Sequence, residues 1–244
     1  MLHDVISFLG SPANWSGEDG IPLRIVEQLW YSLLAVAISV VLAVPVGLVL
    51  GHTRRGESLV AGIANSVRAL PSLGLMTLLV LLLGLGLVPP ILALVVLGIP
   101  PLLAGSYAGV RNVDASAVDG ARAIGMSEFQ VLLRTEIPNA LPLMVSGLRN
   151  ASLDVIATAT IAAYVNLGGL GRFIFDGMAV YDYGQVASGA VLVTALALGV
   201  DAMLAGLVRA VEPGRRVRGR DSREISLLLR DRAGDAAASA ATSD

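Results

Sequence analysis

Three ionisable residues, Arg149, Asp154 and Asp201, lie within apolar stretches that are long enough to cross a membrane. A charge in lipid is costly, so such residues usually face a cavity or an oppositely charged partner. Arg149 and Asp201 lie about eight and about ten residues from the same predicted membrane face, so their depths agree within roughly 3 Å. We therefore predict an ion pair between them; the alternative is that each snorkels or faces a dimer interface independently. The sequence indicates no partner for Asp154.

The residue types that catalysis or cofactor binding would need are largely missing. The chain has no cysteine, which excludes disulfides, thiolate metal sites and cysteine nucleophiles. All 17 basic residues are arginine, so neither a Walker A lysine nor a Schiff-base lysine is present. His3 and His52 are predicted on opposite membrane faces, and no Ser-His-Asp or metal-ligand pattern occurs. We expect no enzyme activity, metal or cofactor in this chain; if ATP drives it, another polypeptide hydrolyses the ATP.

The composition is that of a membrane protein. Hydrophobic residues make up 55% of the 244 residues and charged residues 15%, with a mean hydropathy of +0.75. A soluble domain of this size carries about 25% charged residues, so the deficit indicates a lipid environment. The net charge of −2 gives no indication of nucleic-acid binding.

About five membrane-spanning helices are predicted, which makes the chain an all-α membrane protein. Residues 69–110 contain no charged side chain, and a helix of that length would reach roughly 63 Å, about twice the hydrocarbon core. This stretch should therefore be a hairpin, broken at Gly84-Leu-Gly86-Leu-Val-Pro89-Pro90. The other spans are predicted at residues 29–50, 142–165 and 186–210.

The arginines indicate the orientation, because positive charges accumulate in short cytoplasmic loops. Only Arg24 and Arg172 lie in short segments on the opposite side, so the N-terminus is predicted outside and the C-terminus in the cytoplasm. The cytoplasmic arginines follow the first, third and fifth spans: Arg54, Arg55, Arg68, Arg111, Arg122, Arg134, Arg209, Arg215, Arg216, Arg218 and Arg220.

Both ends of the chain are predicted to lie outside the bilayer core. Residues 1–28 are predicted as an extracytoplasmic, interfacial segment with Trp15 at headgroup level. Residues 212–244, basic and then rich in Ala and Ser, are predicted as a disordered cytoplasmic tail with one helical turn at Ile225–Leu229.

Residues 111–142 are predicted to form a structured cytoplasmic loop with two short helices. Ser116 and Asp119 resemble a capping box at the start of the first helix, and Gly125 suits the C′ position at its end. The first helix carries a short apolar stripe, formed by Val118, Ala121 and Ile124.

The second helix of this loop begins with a capping box of Ser127 and Gln130. It is predicted to run through Arg134 and to stop before Pro138, and Pro142 suits the first turn of the fourth span. The two helices make either a compact knob that docks into a soluble partner or an amphipathic connector on the membrane surface. From physical chemistry alone, the docking knob and the surface connector are equally compatible with the sequence.

The spacing within the loop resembles the EAA loop of binding-protein-dependent ABC importer permeases. That pattern is Glu-Ala-Ala, three residues, Gly, nine residues, Ile, any residue and Leu-Pro. Ala121, Gly125 and Pro138 match it, while Asp119, Gly120, Thr135 and Ile137 replace Glu, Ala, Ile and Leu. By this resemblance, the loop couples the permease to its ATPase subunit through Asp119, Gly120, Ala121, Gly125, Met126, Ile137 and Pro138.

Further motifs, in family order over residues 28–208, resemble the permeases for glycine betaine, choline, carnitine and proline betaine. They are Arg68-Ala-Leu-Pro71-Ser72-Leu, Ser146-Gly147-Leu-Arg149, Ala159-Thr160-Ile-Ala-Ala-Tyr164 and Leu167-Gly-Gly-Leu-Gly171. The resemblance implies a type I, methionine-importer-like ABC permease domain over residues 29–211, in the bacterial cytoplasmic membrane. It also implies a second permease chain, ATPase subunits that bind ATP and magnesium, and a separate extracytoplasmic binding protein.

Proline breaks at membrane depth are candidates for the substrate path. Pro45, Pro71 and Pro100-Pro101 are predicted to break helices, and Ser72 follows one of these breaks; tolerated kinks are the commoner alternative. Tyr164 is a candidate for a cation–π contact with a cationic substrate, with a role in the interfacial aromatic belt as the alternative.

Glycine patterns predict close contacts and a turn. The pairs Gly47/Gly51 and Gly105/Gly109 predict close helix packing, either within the chain or across a dimer. Leu167–Gly171 is predicted as an outer turn with a structural role.

Three functions are compatible with these features. The first is an ABC importer permease, with methionine or another small amino acid as the alternative to an osmoprotectant. The second is a proton- or sodium-coupled carrier, which predicts inverted repeats and clustered ionisable residues at the midplane; no repeat is visible. The third is a membrane scaffold or sensor that transports nothing.

Overall fold

The computed structural model describes residues 2–211, which are helical wherever they are regular. Met1–Val208 forms one compact unit. A second unit begins at Arg209, and most of it, including the predicted tail at 212–244 with its turn at Ile225–Leu229, lies outside the described residues. The helices are α1 (Leu2–Gly10), α2 (Ile21–His52), α3 (Glu57–Arg68), α4 (Ser72–Leu83), α5 (Val88–Arg111), α6 (Ala115–Ala123), α7 (Glu128–Val131), α8 (Ile137–Ala162), α9 (Gly171–Ala179) and α10 (Tyr183–Val211).

Three of the described helices are long and apolar enough to cross a membrane: α2, α5 and α10. The bent pair of α3 and α4 makes a fourth candidate if it is one span. Helix α8 has the length of a span, but Arg149, Asp154 and several Asn, Ser and Thr residues make it less apolar than these. The count of five spans therefore stays a prediction.

The predicted break in residues 69–110 is present, but the first arm of the hairpin is not a full span. Helix α4 ends at Leu83 and is followed by Gly84, whose φ of +87° is accessible to glycine, and α5 begins at Val88. Helix α4 has only 12 residues, or about 18 Å, and it meets α3 at an angle of 83°. Pro71 explains this bend, because it restricts the residue before it and has no N–H for a continuing helix.

Pro45 and the pair Pro100-Pro101 do not break their helices, so that prediction was wrong. Pro45 lies inside α2, and Pro100 and Pro101 lie inside a continuous α5. Each proline removes one helical hydrogen bond, a loss that packing by neighbouring helices can offset in a membrane protein. Of the three predicted proline breaks at Pro45, Pro71 and Pro100-Pro101, only the one at Pro71 separates two helices.

Helix α5 packs between α2 and α8 at glycine positions. A Cβ atom added to Gly47 of α2 would lie 2.7 Å from Ser106 Cβ of α5, and one added to Gly105 would lie 2.8 Å from Gly147 Cα of α8. Both distances are shorter than van der Waals contact allows. The predicted close helix contacts at Gly47 and Gly105 are therefore contacts within the chain.

The Leu167–Gly171 turn packs against the beginning of α2. The backbone N–H of Gly169 donates a hydrogen bond to Glu27 Oε2 at 2.8 Å. A Cβ atom at Gly168 would lie 2.3 Å from the same carboxylate oxygen, and one at Gly171 would lie 2.1 Å from the Thr160 carbonyl oxygen. The glycines thus allow the turn to lie directly on α2 and α8.

Candidate functional site

The segment of residues 111–142, called here the 111–142 segment, begins with an aspartate cap. Asp114 Oδ1 accepts hydrogen bonds from the Ser116 N–H and the Ser116 hydroxyl, both at 2.9 Å. These bonds lower the pKa of the Asp114 carboxyl. The predicted capping box of Ser116 and Asp119 was therefore wrong: the helix begins two residues earlier, and Asp114 is the N-cap that accepts the hydrogen bond of the free Ser116 N–H.

The first helix of the segment ends at Gly125 as predicted. The Gly125 N–H donates to the Arg122 carbonyl and the Met126 N–H donates to the Ala121 carbonyl, which is the Schellman arrangement. Gly125 has a φ of +86°, a value that disfavours residues with a Cβ. Met126 packs with the buried Val118 and with its neighbours Val113, Ala121 and Val131.

The apolar stripe predicted on this helix is only partly buried. Val118 and Ala121 are buried, but Ile124 is 76% exposed. Ile124 occupies the last position before the glycine corner, where the chain turns away from the small core of the segment. Phe129, on the other side of the corner, is also exposed, at 69%. The corner therefore presents two large apolar side chains to the surroundings.

The second helix has the predicted capping box but does not stop before Pro138. Ser127 and Gln130 exchange side chain-to-backbone hydrogen bonds. The helix then continues through a π-helical stretch, Leu132–Glu136, directly into α8. Pro138 lies in the first turn of α8, and Pro142 is inside it. The wider π turn precedes Pro138, where a regular α-helix would bring the Arg134 carbonyl against the proline ring.

Arg122 ties the two short helices together. Its guanidinium donates hydrogen bonds to both carboxylate oxygens of Glu128, at 3.0 and 2.9 Å, and lies 3.5 Å from Asp119. The hydrogen bonds from Arg122 lower the pKa of Glu128, so this carboxylate stays ionised at neutral pH. Asp119 and Glu128 are otherwise exposed. Arg122 therefore contacts Asp119 of the first helix and Glu128 of the second, on either side of the Gly125 corner.

His52, at the end of α2, joins this charged group and was not identified from the sequence. Its Nδ1 lies 2.6 Å from Glu136 Oε2, and its Nε2 lies 3.2 Å from Glu128 Oε2. The Glu136 side chain is only 4% exposed. No local pattern could have indicated this contact, because the two partners are 84 residues apart in sequence. Through His52, the end of α2 is attached to the 111–142 segment.

The remaining predicted residues of the 111–142 segment have simple positions. Gly120 lies inside α6 with nothing within 4 Å of an added Cβ. Ile137 begins α8. Among the described residues there is no group of three or more His, Asp or Glu side chains that could hold a metal ion.

The structure brings Arg149 and Asp201 together, the two residues that the sequence predicts to pair. Arg149 Nε donates to Asp201 Oδ1 at 2.6 Å, and Arg149 Nη2 donates to Oδ2 at 2.8 Å. This two-bond arrangement is the geometry in which a guanidinium fits a carboxylate best. It links α8 to α10 within the compact unit.

The candidate pathway residues do not all lie together. Pro71 caps α4, and Ser72 lines a cavity that also contains Arg68 and Asp154. Tyr164 is exposed and does not line this cavity; its ring packs against Phe175, with the ring centres 5.5 Å apart.

Comparison with known proteins identifies the family. The family model described as "Binding-protein-dependent transport system inner membrane component" matches residues 25–217. The chain is 37% identical over 187 residues, 77% of this chain and 86% of the relative, to the glycine betaine/carnitine/choline transport system permease protein OpuCB of Bacillus subtilis. It is 34% identical to the choline transport system permease protein OpuBB of the same species, over 87% of this chain and 95% of the relative.

Solved structures share the fold. The chain superposes on the MetNI methionine ABC transporter, captured in an inward-facing conformation, with a TM-score of 0.70 and 21% identity, over 79% of this chain and 96% of that chain. An amino acid ABC transporter with histidines matches with a TM-score of 0.61 and 19% identity, over 76% and 91% of the two chains. The all-helical fold is thus that of ABC importer permeases, and the chain belongs to the family of binding-protein-dependent transport system inner membrane components.

Proposed function

We propose that this chain is the permease subunit of an ATP-driven importer and forms the membrane path for a quaternary ammonium osmoprotectant. Glycine betaine, choline, carnitine and proline betaine are the candidate substrates. The support is the family and the transport systems to which relatives at 34 to 37% identity belong. The second candidate is a small amino acid such as methionine. Only the fold favours it, because the methionine transporter that shares the fold is 21% identical in sequence.

The observation that carries the proposal is the exposed corner at Gly125. Ile124 and Phe129 present apolar surface there, and Arg122 and the helix caps hold the corner in one conformation. A rigid apolar projection flanked by carboxylates suits a groove of a soluble partner. In this proposal the partner is the ATPase subunit, which binds ATP and magnesium and supplies all of the catalysis.

The rest of the assembly follows from the family. Five segments cross the membrane in this proposal, with the N-terminus outside and the 111–142 segment in the cytoplasm. A second permease chain, identical or homologous, completes the path. An extracytoplasmic binding protein delivers the substrate to the outer face.

A single-cysteine crosslinking experiment tests the partner. Because the chain has no cysteine of its own, Ile124→Cys carries the only thiol, and a photoreactive maleimide on it should crosslink to a nucleotide-binding subunit. Val180→Cys, at a position of similar exposure, is the matched control and should give no such product. Mass spectrometry identifies what is attached. Crosslinks at position 124 to lipid alone would favour the amphipathic connector and contradict the proposal.

Uptake by the complete transporter tests the substrate and the energy source. Proteoliposomes that contain the whole complex and its binding protein should accumulate labelled glycine betaine or choline only with ATP, and an ionophore should have no effect. Accumulation of methionine instead would favour the second candidate. Uptake without ATP that an ionophore abolishes would make the chain part of an ion-coupled carrier.

A further inference from the structure

A cavity of about 190 Å³ lies where α3 bends into α4, and α5 and α8 close its other sides. This volume corresponds to about six water molecules, which is enough for a small organic solute. Two charged side chains line it, Arg68 from the end of α3 and Asp154 from α8, together with the hydroxyls of Ser72 and Thr158. The cavity therefore combines both signs of charge with polar groups.

The two charges in this cavity do not pair with each other. Arg68 and Asp154 line the same cavity, but no ion pair within 4 Å joins them, and neither side chain has another ion-pair or hydrogen-bond partner among the described residues. Arg149 and Asp201, by contrast, are in direct contact through two hydrogen bonds. Arg149 and Asp201 thus form an ion pair within the chain, whereas Arg68 and Asp154 both face the cavity and do not contact each other.

Both unpaired side chains are exposed in the single chain. Asp154 lies inside the long helix α8, and an ionised group at that position is too costly to face lipid. It must therefore face water, a solute or another protein surface. An aqueous path along this side of the subunit meets that requirement, and the bend between α3 and α4 is the kind of helix break that lines such paths in transporters.

The wall beside Asp154 has further hydrogen-bond acceptors, and no aromatic residue is among the described residues that line it. Thr158 donates its hydroxyl proton to the Asp154 carbonyl, which leaves its oxygen lone pairs available. Pro101 has no N–H for the carbonyl of Leu97, and both residues line the cavity. Tight sites for quaternary ammonium groups use aromatic faces. A site without them holds a cation by charge alone, weakly enough to release it onward.

We propose that this cavity is a passage site for zwitterions, in which Arg68 takes the carboxylate of the solute and Asp154 its quaternary ammonium group. The inference rests on the proposed function and adds a distinction within it. Glycine betaine, carnitine and proline betaine carry both charges, whereas choline carries only the cation. Arg68 therefore contributes to the passage of the zwitterions and not to that of choline.

The test compares glycine betaine and choline uptake by proteoliposomes that contain the complete transporter, at limiting concentrations of loaded binding protein. Arg68→Gln should lower the rate of glycine betaine uptake about tenfold and that of choline less than twofold, since a charge-assisted contact to the carboxylate is lost. Arg68→Lys keeps the charge and should recover most of the rate. Asp154→Asn should slow both solutes. Arg55→Gln removes an arginine outside the cavity and should change neither rate.

A second measurement does not depend on turnover. In the cysteine-free chain, Thr158→Cys places one thiol in the cavity, and a charged methanethiosulfonate reagent should modify it. Glycine betaine should roughly halve the modification rate at the concentration that half-fills the site, and choline should protect less at the same concentration. Stimulation of ATP hydrolysis by loaded binding protein shows whether each variant still assembles.

The outcomes separate this inference from the proposed function. Equal loss of both solutes in Arg68→Gln, or equal protection of Thr158→Cys by both, overturns the zwitterion site while the transporter assignment stands. If the unmodified complex transports neither solute, the proposed function fails. In that case protection of Thr158→Cys by glycine betaine alone would still support the site, and absence of protection would overturn it.

Discussion

At the level of single side chains, the contact between Arg149 and Asp201 has a defined consequence for mutation. Asp201→Asn or Arg149→Gln leaves one charge without its partner between α8 and α10, so either variant should melt at a lower temperature in detergent. The exchange Arg149→Asp with Asp201→Arg restores the pairing and should recover most of the loss. An exchange that is worse than both single variants would show that the pair does not stabilise the protein.

His52 should matter through the buried carboxylate that it contacts. His52→Ala leaves Glu136, with its side chain 4% exposed, without a partner, which should cost roughly 2–3 kcal/mol of unfolding free energy. Adding Glu136→Gln removes the buried charge and should recover part of that cost. His3→Ala is the matched control, because the His3 side chain is 96% exposed. Thermal unfolding of the purified chain measures all three variants, and equal stability of His52→Ala and His3→Ala would contradict the prediction.

These residues differ in how far sequence alone could predict them. The pairing of Arg149 with Asp201 was predictable because each lies in a long helix, where depth follows from the helical rise. The contact of His52 with Glu136 was not, since it depends on where α2 ends relative to a segment 84 residues away. The position of Arg68 was missed for a related reason. The sequence predicts it in a cytoplasmic loop, whereas the bend at Pro71 brings the end of α3 to the cavity that Asp154 of α8 also lines.

At the level of the elements, the glycine corner of the 111–142 segment should be sensitive to a single methyl group. Gly125 has a φ of +86°, so Gly125→Ala should destabilise the corner by about 1–2 kcal/mol and weaken binding of the ATPase subunit. Gly120→Ala is the matched control: it lies inside α6 with open space around an added Cβ, and it should stabilise the helix by up to about 1 kcal/mol. Thermal unfolding and co-purification of the ATPase measure both, and the same effect from both variants would argue against a fixed corner.

Helix ends show where sequence patterns stop being sufficient. The capping box of Ser127 and the C′ role of Gly125 depend on a few neighbouring residues and were predicted correctly. The continuous path from α7 into α8 depends instead on a π turn, Leu132–Glu136, that accommodates Pro138. Proline therefore separates two helices at Pro71, whereas Pro45 and Pro101 lie inside continuous helices and Pro138 lies in the first turn of one. Packing around each proline decides the outcome, and packing is not a local property.

At the level of the whole molecule, the orientation can be tested with two of the single cysteines. Ile124→Cys and Val180→Cys are similarly exposed, at 76% and 69% for the native residues, so access alone does not distinguish them. A membrane-impermeant maleimide added to intact cells should label position 180 immediately and position 124 only after permeabilisation. The reverse pattern would place the N-terminus in the cytoplasm and contradict the positive-inside prediction.

The number of spans is the whole-molecule feature that the sequence describes least well. Hydropathy located α2, α5 and α10, whose apolar runs are long. It treated α4 as a full span, although the bend at Pro71 leaves only 12 residues in that helix. Helix α8 is less apolar because its charged and hydroxyl side chains face a partner helix or a cavity. Such residues are needed for a path, and they weaken the signal by which a span is recognised.

The glycine contacts of α5 and the attachment of the 111–142 segment together have a mechanical consequence. Gly47 and Gly105 leave no room for an added Cβ between α5 and its two neighbours, so the three helices pack with their backbones close together. The segment joins α5 to α8 through the chain itself and reaches α2 through His52. A displacement of the Gly125 corner should therefore move all three helices together, so that they rotate as one rigid body.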